Sequence, residues 1–151
     1  MDNGEKLRAF GDKIKSFIDE NGTDEAMSEF ITPLADIGDK VTKLTMEIGM
    51  KAFQNRDEVG AAAVPYLRVL GHLVFAYFFA RMAKIALEKS SSGYDFYQAK
   101  LGVARSYFAR LLPETAMLIR QALSCAGTLM AMDFTVSSFF FFFSLPFALP
   151  L

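Results

Sequence analysis

The side chains best able to do chemistry are few and lie far apart in the sequence. His72 is the only histidine and Cys125 the only cysteine. An imidazole among apolar neighbours can serve as a general base or a metal ligand. His72 has no second histidine to pair with and no cysteine near it in sequence. We therefore interpret it as a core histidine whose hydrogen bonds are satisfied inside the fold.

The remaining candidates lack the partners that catalysis would need. Cys125 falls on an apolar stripe with helical spacing and is interpreted as a small buried hydrophobe. The carboxylates include no Glu-x-x-His pair of the kind that binds iron in helical bundles. Glycines occur singly rather than in a phosphate-binding loop, and Gly71 and Gly102 are expected to mark close contacts between helices. The sequence therefore predicts no catalytic, cofactor-binding or metal-binding residue.

The stretch from Val64 to Lys89 is the element around which the other segments are expected to pack. It carries no charge between Arg68 and Arg81, and a helix that is apolar on all sides lies either in the centre of a bundle or in a membrane. Its twelve uncharged residues would span about 18 Å, short of the roughly 30 Å hydrocarbon layer. We therefore expect a buried core helix.

Aromatic side chains of this helix could also line an apolar pocket for a ligand. Such a pocket would have to lie beside Phe75, Tyr77 and Phe79. Aromatic residues at helical spacing are first of all core, so the sequence favours packing over binding here.

Two amphipathic helices are predicted before it. The first covers Glu5 to Asp19, with a left-handed stop expected at Asn21 and Gly22. The second begins near Thr23 or Asp24, either of which can cap it, and Pro33 predicts a kink or a late start. Their apolar stripes fall at steps of three and four residues: Leu7, Phe10, Ile14 and Phe17 in the first; Met27, Phe30, Leu34, Ile37, Val41, Leu44 and Ile48 in the second.

The second half of the chain is predicted to hold the central helix and one long kinked helix. Asp57 can cap the central helix, which begins at Glu58 with a kink at Pro65 or begins only near Pro65. It ends at the turn 90–93. Apolar positions then alternate from about Tyr94 to Met132, in phase across Pro113, which predicts a helix, or two nearly collinear ones, of about 58 Å.

The last eighteen residues, 134–151, do not share this pattern. They contain five consecutive phenylalanines at 139–143 and the prolines Pro146 and Pro150. A membrane anchor would carry a basic flank and fewer prolines and hydroxyls. We interpret the segment as a disordered, non-homologous extension, such as a frame-shifted or read-through end. The alternative is a tail that anchors a small helical protein to a membrane.

Length and charge favour one soluble helical domain before that tail. Sixteen basic and seventeen acidic residues in 151 give a formal charge of −1, and with no basic block a nucleic-acid partner has no electrostatic support. A single cysteine excludes an internal disulfide and fits a reducing compartment. The N-terminal residues lack a secretory pattern. We expect a cytoplasmic, all-α, up-and-down bundle of four to five helices in residues 1–133.

Three stretches resemble a known family. They are LTMEIGMKA at 44–52, AAAVPYLRVLGHLVFAYFFARMA at 61–83 and SYFARLLPETAMLIRQALSCAGTLMAM at 106–132. The piece from Tyr107 to Pro113 is the most specific. Over roughly Phe10 to Met132 the chain is similar to the helical C-terminal extension of acyl-CoA dehydrogenases of the 3-methylmercaptopropionyl-CoA dehydrogenase type, which are long FAD-dependent enzymes.

The resemblance implies an accessory domain rather than an enzyme. In such enzymes the flavin, the acyl-CoA site and the catalytic glutamate belong to a preceding core of several hundred residues, which this sequence does not contain. The implied chain is a detached fragment with no FAD of its own. Its implied role is to pack on the dehydrogenase core, on another subunit or on its own copies through apolar helix faces. A membrane partner is not expected under this interpretation.

Overall fold

The computed structural model describes residues 4–89 and 95–132, and all the regular structure in these ranges is helical. The helices are α1 (Glu5–Asn21), α2 (Ser28–Gln54), α3 (Asp57–Lys89), α4 (Asp95–Ser106), α5 (Thr115–Leu123) and the single turn α6 (Gly127–Met130). A 3₁₀ turn, Glu25–Met27, leads into α2. A π-helical turn, Tyr107–Leu111, and a 3₁₀ turn, Leu112–Glu114, join α4 to α5. The predicted all-α bundle is confirmed.

The core lies between α2, α3 and the segment made of α4 and α5, with α1 packed across α2 and α3. The largest fully buried side chains come mostly from the predicted stripe that begins at Met27 and continues along α2, because its apolar residues repeat with the period of the helix. The largest buried side chains of the core are Phe30, Met27, Leu34, Ile37, Leu44, Leu118 and Val69.

Polar side chains fix the turns around α1 and α2. The Asp24 carboxylate accepts a hydrogen bond from the Ala26 N–H at 2.9 Å, as an N-cap does. The predicted left-handed stop at Gly22 is wrong, because Gly22 has right-handed backbone angles. Instead the buried Asn21 side chain donates to the Phe17 carbonyl at 2.7 Å and satisfies the last turn of α1. Helix α2 runs through Pro33.

Helix α3 contacts α2, α4 and α5 and is central, as predicted. The expectation that the other segments bury it on all sides is wrong, because its side with Leu67, Phe75 and Phe78 is exposed. The helix begins at Asp57 and continues through Pro65, which decides between the two predicted starts. The expected cap at Asp57 is wrong in detail. The Asn55 carboxamide oxygen accepts from the Asp57 N–H at 3.0 Å, so Asn55 holds the capping position and Asp57 lies in the first turn.

The long helix predicted from about Tyr94 to Met132 ends earlier in the structure than the apolar stripe from which it was predicted. The described chain is helical from Asp95 to Leu123, through the π and 3₁₀ turns before and at Pro113, and Ser124 is extended. A π turn accommodates Pro113 because the widened helix needs no hydrogen bond from the missing N–H. Beyond Ser124 the stripe does not continue: Cys125, Leu129 and Met132 are exposed.

Three other predictions from single residues can be compared with the structure. Gly71 and Gly102 do not mark close helix contacts, because a Cβ built at either position would meet nothing within 4 Å. Leu7 lies on the exposed side of α1. The predicted turn at 90–93, the boundary at Asp133 and the tail 134–151 lie outside the described residues.

Candidate functional site

His72 lies on α3 where the π-helical turn packs against it. Its side chain is half-buried, and its Nδ1 is 3.1 Å from the hydroxyl of Tyr107. That hydroxyl donates to the main-chain oxygen of His72 at 3.0 Å. The polar atoms on this side of the imidazole are thus satisfied within the bundle, by a residue 35 positions away that sequence spacing gave no reason to single out.

The geometry shows that one ring nitrogen of His72 is a donor. The Tyr107 hydroxyl has one proton, and it is directed to the His72 carbonyl. The bond between Tyr107 and Nδ1 must then be donated by the ring, so Nδ1 carries a hydrogen. Nε2 is 3.9 Å from a carboxylate oxygen of Glu114. A proton gained at Nε2 would place a positive charge beside that carboxylate.

Tyr107 is held by aromatic rings on both helices. Its ring stacks on Phe79 with the centroids 4.4 Å apart and meets Phe75 and Phe108 edge-on. Only 4% of the residue is exposed. Burial raises the pKa of Tyr107 to about 12, because the phenolate would lose its hydration.

Glu114 links this pair to Arg68, one helical turn before His72. The Arg68 guanidinium donates to one carboxylate oxygen of Glu114, while the other oxygen faces His72. Arg68, His72, Tyr107 and Glu114 therefore form a polar network that joins α3 to the segment between α4 and α5. The Tyr107 hydroxyl, Nδ1 of His72 and one carboxylate oxygen of Glu114 form hydrogen bonds inside the network, so the arrangement supports positioning of these helices.

Cys125 is not the buried hydrophobe that its stripe predicted. It is exposed, because the chain leaves the helical path at Ser124. Glu58, at the start of α3, stabilises the chain after the end of α5. Its carboxylate accepts from the Ala126 N–H at 3.0 Å and lies 3.4 Å from the Cys125 sulfur. Among the described residues, no group of three or more His, Cys, Asp and Glu side chains is placed to hold a metal ion.

The most unusual feature of the structure is that α3 is apolar on two opposite sides. The side toward the other helices is rich in small residues, which let neighbouring backbones approach closely: Ala62, Ala76, Ala80, Ala83 and Ala86 are buried there beside Val69, Leu73 and Tyr77. The opposite side, which we call the outer face, carries apolar residues at steps of three and four, most of them large. These residues are Val64, Leu67, Gly71, Phe75, Phe78, Met82 and Ile85.

The outer face is exposed to solvent along three heptads. Val64, Leu67, Phe75 and Phe78 are 70%, 69%, 58% and 53% exposed, and Ile85 is also exposed. Soluble proteins rarely leave a contiguous apolar surface of this kind without a binding role. A repeat at steps of three and four along one helix is the pattern by which another helix packs against it.

The three aromatic residues considered for a ligand pocket do not come together. Tyr77 faces α1, where it meets Phe10 and Phe17 edge-on. Phe79 stacks on Tyr107, and Phe75 belongs to the outer face. In the part of the chain that the structure describes, none of the three main grooves is lined by all three rings.

Grooves of two kinds flank the central helices. One, of about 570 Å³, lies between α1 and α2, and its rim carries both signs of charge, from Arg8, Lys15, Asp12 and Asp39. Another, of about 410 Å³, lies between α3 and α4 and is continuous with the outer face. Its lining is Phe78, Arg81, Met82, Ile85, Ala86, Phe96, Tyr97 and Lys100.

Helix α3 is also the one helix in the described ranges that is long and apolar enough to cross a membrane. The central helix of a water-soluble bundle meets the same criteria of length and hydropathy, so this property alone assigns no membrane role.

The comparison with protein families decides the affiliation of the chain. The model of the acetyl-CoA dehydrogenase C-terminal-like family matches residues 10–133. The chain belongs to this family. No curated protein matches it. The matched region contains the whole outer face and the polar network of this acetyl-CoA dehydrogenase C-terminal-like domain. The finer relation to the 3-methylmercaptopropionyl-CoA type stays a prediction.

Proposed function

We propose that the chain is an accessory helical domain that packs through the outer face of α3 on the catalytic core, or on another subunit, of an acyl-CoA dehydrogenase. The observation that carries this proposal is the apolar stripe from Val64 to Ile85, exposed on the central helix. A partner that covers it would remove the side chains of Leu67, Phe75 and Phe78 from water. Burial of one large apolar side chain contributes about 1.5–3 kcal/mol.

The proposal gives the chain no catalysis of its own. The flavin, the acyl-CoA site and the base would belong to the dehydrogenase core, and this domain would supply a surface. The position of the polar network supports that division. The ring of Tyr107 contacts the ring of Phe75, a residue of the outer face, with the centroids 6.4 Å apart. The network therefore stabilises the position of α3, the helix that would dock on the partner.

We also propose that the protein works in the soluble cytoplasm. The competing function is a membrane anchor in the tail 134–151. Fractionation of cells that express the full chain, or the chain shortened after Asp133, separates the two. An anchor would hold only the full chain in membranes through an alkaline wash, whereas the docking function leaves the shortened chain soluble and able to bind its partner.

The direct experiment is to mix the full chain with the separately expressed catalytic core of an acyl-CoA dehydrogenase and follow co-elution by size-exclusion chromatography. We expect a complex that the double variant Phe75→Ser, Phe78→Ser abolishes. The matched control is Phe53→Ser, because Phe53 is 95% exposed at the end of α2, away from the outer face. The circular dichroism of each variant checks that the bundle has remained helical.

Two results would contradict the proposal. The first is a chain that stays folded and monodisperse and elutes apart from every such core. The second is a complex that the control substitution at Phe53 weakens as much as the substitutions at Phe75 and Phe78, since that would place the contact elsewhere or make it non-specific.

A further inference from the structure

The groove between α3 and α4 has an electrostatic character that the rest of the outer face lacks. Apart from its apolar residues and Tyr97 it is lined by two charged side chains, Arg81 and Lys100, and both are cationic. Neither forms a salt bridge with a carboxylate in the described ranges 4–89 and 95–132. Their described partners are aromatic: Arg81 lies over Tyr77 at 5.5 Å and Lys100 over Phe96 at 5.2 Å.

Arg81 stands on the ridge between this groove and a second one, between α1 and α3. The second groove contains the acidic residues Asp12, Glu20 and Glu88. None of these carboxylates lies within 4.0 Å of the Arg81 guanidinium. The charge of Arg81 is thus available to a partner that lies along the outer face, where Arg81 and Lys100 line the same groove.

The shape of the surface favours a helix as the occupant. The outer face repeats at steps of three and four over three heptads, which matches the side-chain spacing of one packed helix. At its C-terminal end the surface becomes a concave groove of about 410 Å³, into which a large apolar side chain can insert. A bilayer would meet a flat or convex surface instead.

A second copy of the same helix is a poor occupant. An antiparallel copy could set Val64 against Ile85. Between these two residues, however, the charged side chains of α3 are Arg68, Arg81 and Lys84, all cationic, so a second copy would bring no carboxylate from this stretch to Arg81 and Lys100.

We propose that the groove between α3 and α4 binds an amphipathic helix of the partner protein that has acidic residues beside its apolar stripe. One large apolar side chain of that helix enters between Phe78 and Phe96, and flanking carboxylates pair with Arg81 and Lys100. The inference rests on the proposed docking function and adds the chemistry of the partner.

The test uses the full chain and two synthetic helical peptides of about three heptads, with leucine at the a and d positions and either glutamate or lysine at e and g. Binding is followed by fluorescence anisotropy at low salt. The double variant Arg81→Glu, Lys100→Glu reverses the charge of the groove. The matched control is Lys6→Glu, Lys43→Glu, which reverses two exposed lysines of α1 and α2 outside the groove.

We expect the glutamate peptide to bind, and the groove variant to weaken that binding about tenfold or more, because close charge pairs at an interface couple by more than 1.4 kcal/mol. The lysine peptide should bind the groove variant about tenfold more tightly than the unaltered chain. The control variant should bind like the unaltered chain. An unfolded variant would bind neither peptide, so tighter binding of the lysine peptide to the groove variant would show that the variant is folded.

Three results would overturn the inference. Equal binding of the two peptides would show that charge is not recognised, and an equal loss in the control variant would show that only net charge matters. Binding to vesicles of anionic phospholipid in place of either peptide, lost in the groove variant and kept in the control variant, would make the surface a membrane contact. If the dehydrogenase core binds and the glutamate peptide does not, the inference fails while the docking function stands. If the glutamate peptide binds and no dehydrogenase core does, the docking function fails while the inference about the chemistry of the groove stands.

Discussion

The Tyr107 hydroxyl donates to the main-chain oxygen of His72 at 3.0 Å and also lies 3.1 Å from Nδ1 of that residue. One phenol therefore holds both the backbone and the side chain of α3. The bond is made from a π-helical turn, a local widening of the helix that is common at sites under functional constraint. It fixes the helix that carries the outer face against the segment between α4 and α5.

The tautomer of His72 follows from this pair of bonds. Since His72 is the only histidine, long-range ¹H–¹⁵N spectra of the full chain at neutral pH show one imidazole without any assignment. We expect the hydrogen on Nδ1. In Tyr107→Phe the acceptor is lost, and the population should move toward hydrogen on Nε2. An unaltered chain with the hydrogen on Nε2 would mean that the ring does not donate to Tyr107.

Tyr107 should make stability fall at high pH. Its pKa in the folded chain is about 12, raised by burial from an ordinary value of 10.0. Between these values the folded chain keeps a proton that the unfolded chain has lost. The free energy of unfolding therefore decreases as pH rises through this window, and the contribution is fully present below pH 10. The loss by pH 12 is on the order of 2 kcal/mol.

The measurement is urea unfolding at a series of pH values, compared with Tyr107→Phe. The variant loses its hydrogen bonds at every pH, at about 0.5–1.5 kcal/mol each, but it should lack the part of the alkaline decrease that belongs to this one phenol. Identical slopes for the two proteins between pH 10 and 12 would contradict the assignment.

The sequence predicts most of the bundle because its apolar residues have a clear period. The stripe of α2 from Phe30 to Leu44 and the central place of α3 follow from that period and from the absence of charge between Arg68 and Arg81. The same argument fails beyond Ser124. The period of the apolar residues shows which of them could share a face of a helix. It does not show the hydrogen bond from the Ala126 N–H to Glu58, which stabilises the chain where it departs from the helix.

Burial, rather than residue type, should decide the cost of losing a phenylalanine. Phe30 is fully buried and meets Phe108 with centroids 5.4 Å apart, whereas Phe53 is 95% exposed. Phe30→Ala should lower the free energy of unfolding by about 3–5 kcal/mol, because a cavity is left. Phe53→Ala should change it by less than about 0.5 kcal/mol. Chemical denaturation of the two variants checks this, and comparable losses would contradict the described core.

The bond from Glu58 should control the segment around α6 without affecting the bundle. Glu58→Ala removes the acceptor of the Ala126 N–H, whereas Glu58→Gln keeps an oxygen in its place. We expect hydrogen exchange at Ala126 to accelerate about tenfold or more in the alanine variant, since one hydrogen bond to a carboxylate contributes about 1.5–3 kcal/mol. The glutamine variant should exchange at an intermediate rate. Unchanged exchange in both would show that other contacts hold this turn.

The surface was harder to predict than the core. Phe75 and Phe78 have the same residue type as buried core positions. We interpreted the aromatic residues of α3 as core because the hydropathy of a residue does not show whether its side chain faces the other helices or solvent. The structure places large apolar residues on both sides of α3: Val69, Leu73 and Tyr77 are buried among the alanines of the inner side, whereas Phe75 and Phe78 are exposed on the outer face. The pairing of His72 with Tyr107 could not be predicted either, because it depends on a π-helical turn, and the residue types at 107–111 do not indicate such a turn.

The most direct test of the docking function is photo-cross-linking from the outer face itself. p-Benzoylphenylalanine placed at position 78, where Phe78 is already aromatic and exposed, is compared with the same residue at position 53. After mixing with an acyl-CoA dehydrogenase core and irradiation, the account predicts a cross-linked product from position 78 and none from position 53. Equal cross-linking from the two positions, or a complex that cross-links only from position 53, would contradict it.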